Sequence, residues 1–84
     1  MVMNSKRRLL RKAIQRMSTR EATAWIKNFQ LRQYEEDAII ACDVKGMSVV
    51  QASFKLHCSR EVISRHKSDG YNRILRDIKD NIPE

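Results

Sequence analysis

Apolar residues recur along this chain at helical rather than strand spacing. In "SKRRLLRKAIQRM", Leu10, Ile14 and Met17 fall at i, i+4 and i+7 with Ala13 beside them, and cations fill the other face. That period predicts a short amphipathic helix. Ser18 followed three residues later by Glu21 has capping-box spacing, so a second helix is expected from Thr19. Ala22, Trp25, Ile26 and Phe29 lie on its stripe, where the two aromatics read as core anchors rather than base-stacking surfaces. A third helix is expected over residues 32 to 45. Glu35, Glu36 and Asp37 stand in its first turns, where the helix dipole favours negative charge, and Ala38, Ile39, Cys42 and optionally Ile40 form its apolar side. Gly46 follows Lys45 at the position where a left-handed stop is easiest.

The stretch "GMSVVQASFKLHCSREVISRHKS" predicts two further helices around a tight turn. Ser48 is an N-cap for the first, with Val49, Ala52, Phe54 and Leu56 expected to pack and Ser53 marking a close approach of another helix. His57 stands where the turn needs a left-handed residue, with Cys58 as a small inward plug. Ser59 caps the last helix, whose inward positions are Val62 or Ile63, His66 or Lys67, Gly70, Ile74 and Ile78. Two helices joined so tightly cross steeply and leave one side of the second exposed.

Composition agrees with an all-α chain: among 84 residues there are only 2 Gly and 1 Pro. One domain is expected over residues 1 to 84, with a basic helical extension at 1 to 30 and a core at 31 to 80. Its core is small, because so short a chain buries only about 60 to 65% of its unfolded surface, which argues against a large catalytic pocket.

Charge changes the picture. The formal net charge is +7, and residues 1 to 20 carry seven cations (Lys6, Arg7, Arg8, Arg11, Lys12, Arg16, Arg20) without an acid. Residues 31 to 46 carry four acids (Glu35, Glu36, Asp37, Asp43), and residues 47 to 68 turn basic again at Lys55, Arg60, Arg65 and Lys67 against Glu61. Such segregation points to a polyanion, above all nucleic acid. No apolar run approaches membrane-spanning length and no secretory segment follows the basic start, so the expected setting is cytoplasmic, without a membrane partner. Cys42 and Cys58 then read as reduced, structural thiols. Together with His57 and His66 they match no zinc spacing, so neither metal nor cofactor is expected.

Without a gap, "LRQYEEDAIIACDVKGMSVVQASFKLHCSREVISRHKSDGYNRIL" resembles the C-terminal helix-turn-helix domain of bacterial sigma factors, region four, and of LuxR-type regulators. The similarity covers residues 31 to 78. Leu31 and Glu35 fall where that family opens its first helix, "KGMS" matches its "xGLS" bend, Leu56 its leucine before the turn, and "SREVISR" the start of its recognition helix. Gly70 and Ile74 fall at its small residue and leucine. His57 replaces its turn glycine, Ser53 its alanine, Ala52 a larger aliphatic and Lys67 a core leucine, the departures of a distant relative. No counterpart of the promoter-melting regions is found, so a small stand-alone regulator of the kind phages and mobile elements encode fits the layout. The fold so implied is about five helices, a tri-helical helix-turn-helix core after two short helices.

The resemblance implies, and helical spacing agrees, that a recognition helix at about residues 59 to 69 turns Ser59, Arg60, Glu61, Ser64, Arg65 and Ser68 outward. In a major groove Arg60 and Arg65 suit guanine, Glu61 suits the cytosine amino group, and the serines suit bases or phosphates. Lys67, Lys55 and Ser48 are expected at phosphates. The N-terminal cations either add nonspecific attraction to phosphates, as a helix along the backbone or an arm in the minor groove, or contact RNA polymerase or, a weaker alternative, a lipid headgroup. Tyr71, Leu75 and Ile82 lie off the inward stripe; they either form a homodimer contact or pack on the N-terminal helices. The expected function is sequence-specific transcription regulation on double-stranded DNA. Two alternatives are a protein-contact module for RNA polymerase or another regulator, and a DNA-binding accessory of transposition, excision or packaging. An enzyme is not expected, since neither histidine has a spaced nucleophile or carboxylate and no phosphate loop is present.

Overall fold

A computed structural model describes residues 2–79 and 82, with side chains from Lys6 onward. Residues 1, 80, 81, 83 and 84, which fall within the expected domain span, lie outside the described residues. The described residues form five helices and no strand: α1 (Val2–Arg16), α2 (Thr19–Lys27), α3 (Gln33–Ile39), α4 (Val49–Leu56) and α5 (Arg60–Ile78). The all-α class and the helix number agree with the hydrophobic period.

Local signals place the helix ends. The Ser18 hydroxyl accepts the Glu21 N–H at 3.1 Å and the Glu21 carboxylate accepts the Ser18 N–H at 3.1 Å, closing the capping box before α2. α3 does not end as a regular helix: it runs on through a π-helical turn, Ile40–Val44, in which the Lys45 N–H reaches back five residues to the Ile40 carbonyl. Gly46 then takes φ +77°, and the Met47 N–H bonds the Ala41 carbonyl at 3.0 Å, a left-handed helix stop. The widened turn buries three successive residues, Ala41, Cys42 and Asp43.

Two apolar clusters follow. The larger is built by Leu10 and Ile14 of α1, Ala22 and Ile26 of α2, Leu31, Ile39 of α3, and Tyr71, Ile74 and Leu75 of α5. Trp25 and Phe29 pack at its margin with ring centroids 4.7 Å apart, edge to face. The smaller joins Ala38, Ala41 and Cys42 to Ala52 of α4 and Ile63 of α5, with Met47, Val49, Leu56 and Cys58 around it.

Several expectations change here. Phe54, expected in the core, is 77% exposed: α4 faces inward through Ala52, and Phe54, two residues on, points away. The close approach falls at Ala52, wholly buried, rather than at half-buried Ser53, whose hydroxyl instead donates to the Val50 carbonyl. Tyr71 and Leu75 are buried in the larger cluster and Ile82 packs against it, so of the two uses open to them they serve the second, against the N-terminal helices. Glu35 and Glu36, expected merely to complement a helix dipole, are buried. Glu36 takes Lys27 Nζ of α2 at 2.8 Å; Glu35 takes the Arg32 N–H and Arg73 Nε of α5, both at 3.1 Å.

Gly70 sits where α5 meets α3. A Cβ there would lie 2.6 Å from Ile39 Cδ1 and 3.4 Å from Glu35 Cβ. Ile39 is fully buried, so its side chain has little room to yield. Gly70→Ala is therefore expected to destabilise by about 1 kcal/mol, overpacking of about 1–3 kcal/mol exceeding a helix-propensity gain of up to about 1 kcal/mol. Ile39→Val removes the clashing methyl, so the double variant should unfold in urea at a higher concentration than the two single losses added together allow.

Candidate nucleic-acid interface

α4 and α5 are joined by His57, Cys58 and Ser59 alone. His57 adopts φ 57°, ψ 46°, the left-handed conformation expected of it, and the Cys58 N–H bonds the Ser53 carbonyl at 3.1 Å. Ser48 caps α4 through a reciprocal pair with Gln51, at 3.1 and 3.0 Å, and the Ser59 hydroxyl accepts the Val62 N–H at 3.2 Å to open α5. Cys58 is half-buried at the edge of the smaller cluster.

Ile63 anchors the first half of α5, with Val62 half-buried beside it. Away from this anchor, Ser59, Arg60, Glu61, Ser64 and Arg65 are all exposed, and Lys55 is exposed on the last turn of α4. The structure thus brings most of the expected contact residues to one surface.

Two of them lie off that surface. Positions 63, 67, 70 and 74 share one stripe of α5, so Lys67 follows Ile63 inward; its side chain is 17% exposed and Nζ lies 3.4 Å from Asp43 Oδ1. Ser68 is half-buried beneath α1, where its hydroxyl accepts from Arg7 Nη1 at 3.1 Å. Arg7 Nη2 also donates to Asn72 Oδ1 at 3.0 Å, so one of the N-terminal cations braces α1 on α5.

Asp43 is a buried carboxylate that the sequence did not single out. It accepts the Tyr71 O–H as well as facing Lys67. Burial, then the charge of Asp43 and the bond to it, pushes the Tyr71 phenol far above its ordinary range, against a small opposing effect of Arg11. Tyr71 is therefore the proton donor to Asp43 at neutral pH. Residues 43 and 71 are 28 apart and nothing local links them. Burial also raises the Cys42 thiol, keeping it protonated. Cys42 and Cys58 are both free. On the opposite side of α5 the His66 ring meets Tyr34 with centroids 4.3 Å apart and the rings tilted at 41°, and its Nδ1 is covered without a hydrogen-bond partner among the described residues. No cluster of three or more His, Cys, Asp or Glu suited to a metal is found among the described residues.

Compared with known proteins, the chain matches no protein-family model, and neither a characterised protein nor a solved structure shows significant similarity to it.

The Tyr71 contact gives a stability signature. The folded phenol ionises at higher pH than the unfolded one, whose pKa is about 10, so above that pH the unfolded state holds fewer protons and stability falls, by up to about 1.4 kcal/mol per pH unit from this group. Tyr71→Phe should lose about 1–3 kcal/mol at pH 7, where Asp43 forfeits a donor. Urea midpoints of the two proteins should converge as pH rises from 9 to 11; a constant gap would mean that Tyr71 ionises alike in both states.

Proposed function

We propose that the chain is a sequence-reading DNA-binding protein, a transcription regulator in which α4, the turn and α5 form a helix-turn-helix and the first two turns of α5 enter the major groove. One observation carries this: Arg60, Glu61, Ser64 and Arg65 are exposed on the same stretch of a helix whose other side is fixed in the core at Ile63. The recognition helix of such a motif presents base-contacting side chains from its N-terminal residues. Arg60 and Arg65 each offer a bidentate fork to guanine O6 and N7, and Glu61 an acceptor to the cytosine amino group. Ser59 and Ser64 are short enough to let the helix axis approach the base edges. Lys55 and the capped start of α4 at Ser48 lie beside α5 and suit phosphates of the same duplex. The resemblance of residues 31 to 78 to sigma region four supports the same assignment.

A specific observation favours a second reading. Val50 and Phe54, at i and i+4 on α4, are 44% and 77% exposed, an apolar pair suited to contact with RNA polymerase or another regulator. In that case Arg60 and Arg65 are dispensable.

Random-sequence selection with the wild type and with Arg60→Ala plus Arg65→Ala separates the two. Both side chains are exposed, so circular dichroism and thermal midpoint should be unchanged. An enriched motif is expected for the wild type and its loss in the variant, each arginine contributing about 1–3 kcal/mol of base discrimination. Binding that is indifferent to the two changes shifts the assignment to protein contact.

A further inference from the structure

α1 packs on α5 so that Arg7, Arg8 and Arg11 form one wall of an open groove and Ser64, Lys67, Ser68 and Tyr71 line the other, with a volume of about 380 Å³. No acidic side chain lines it, and Asp43, which Lys67 and Tyr71 meet, is buried. Arg7 is occupied with Ser68 and Asn72. Arg8 and Arg11 are exposed and have no hydrogen-bond acceptor or ion-pair partner among the described residues. Two unengaged guanidiniums over a braced third, beside a serine hydroxyl and without competing acid, suit a phosphate oxyanion, which arginine binds through paired N–H donors.

The groove continues the exposed face of α5. Arg60, Ser64 and Ser68 form one i, i+4 row, each step rising about 6 Å along the helix. The row starts at the free end of α5 and runs under α1 at Ser68. Ser64 and Ser68 belong both to this row and to the groove wall, so the groove directly adjoins the residues read as base contacts.

We propose that this groove is a second DNA contact, in which Arg8 and Arg11 of α1 grip a backbone phosphate of the duplex that α5 reads, an assignment that rests on the reading of α5 as the DNA-contacting helix. α1 is then part of the interface and sets the angle at which α5 enters the groove. Its contact is blind to sequence, because phosphates position and bases specify.

The test is equilibrium binding across a salt series by the wild type, Arg8→Gln plus Arg11→Gln, and Arg60→Ala plus Arg65→Ala, each on the selected duplex and on a scrambled one. Each phosphate contact contributes about 0.9 to the slope of log affinity against log salt. The Arg8/Arg11 variant is expected to show a slope shallower by about 1 to 2, with affinity reduced by the same factor on both duplexes and the preferred motif retained. An unchanged slope, or a loss confined to the selected duplex, overturns the groove contact. If the slope is unchanged while the Arg60/Arg65 variant loses the motif, the groove fails and the recognition helix stands. If the slope falls while the Arg60/Arg65 variant binds as the wild type does, the groove stands alone as a phosphate contact. A wild type that binds neither duplex removes both.

Discussion

α5 and α3 touch where α5 has no side chain. With only a hydrogen at Gly70, the Ile39 Cδ1 methyl occupies space that any other residue's Cβ would claim. That proximity brings three polar side chains of α5 within reach of two buried carboxylates on the segment beneath: Arg73 meets Glu35, while Tyr71 and Lys67 meet Asp43. Apolar packing alone is tolerant of small slides along a helix, since one methyl replaces another at similar free energy. Hydrogen-bonded buried charges are not, because a misplaced partner leaves a desolvated carboxylate unpaired. Gly70 sets how close α5 comes, and Glu35 and Asp43 set its register.

That register decides which side of α5 faces out at its other end. Ile63 is seven residues, about two turns, before Gly70, so a helix fixed at 70 to 74 turns Ile63 onto Ala52 and leaves Arg60, Glu61, Ser64 and Arg65 outside. α4 closes over the free end through a turn that a left-handed His57 makes short. α1 braces the middle through Arg7. For the proposed role of α5 as a groove-reading helix, side chains must be held within a fraction of an ångström, and support from both neighbours provides that rigidity.

The features legible in the sequence were those whose cause is local. The caps at Ser18, Ser48 and Ser59, the left-handed stops at Gly46 and His57, and the Leu10 and Ile14 stripe each depend on residues within one or two turns. The misreadings depended on partners far along the chain. Phe54 looks like core by composition, yet the phase of α4 is fixed by Ala52 against Ile63, and only the tertiary contact reveals that. The sequence leaves the inward position open between His66 and Lys67, and what settles it is the π-helical turn at residues 40 to 44, which carries Asp43 inward beneath Lys67. Arg7 was one cation among seven, and its partners are 61 and 65 residues away.

The same arrangement sorts the charge. Each buried carboxylate of α3 and its π-helical turn is matched by a basic side chain: Glu36 by Lys27, Asp43 by Lys67 and Glu35 by Arg73. These pairs consume acids that, on the surface, would screen the basic face. Arg8 and Arg11 on α1 and Arg60 and Arg65 on α5 have no acidic partner among the described residues. Each pair removes one cation along with its acid, so the formal net charge of +7 is carried by the remaining side chains, those of α1 and α5 among them. Unpaired surface cations attract a polyanion over about a Debye length, roughly 8 Å at physiological salt. The buried acids thus hold α5 in register and, by facing inward, leave Glu61 as the one acid beside Arg60 and Arg65 in the first two turns of its outer face.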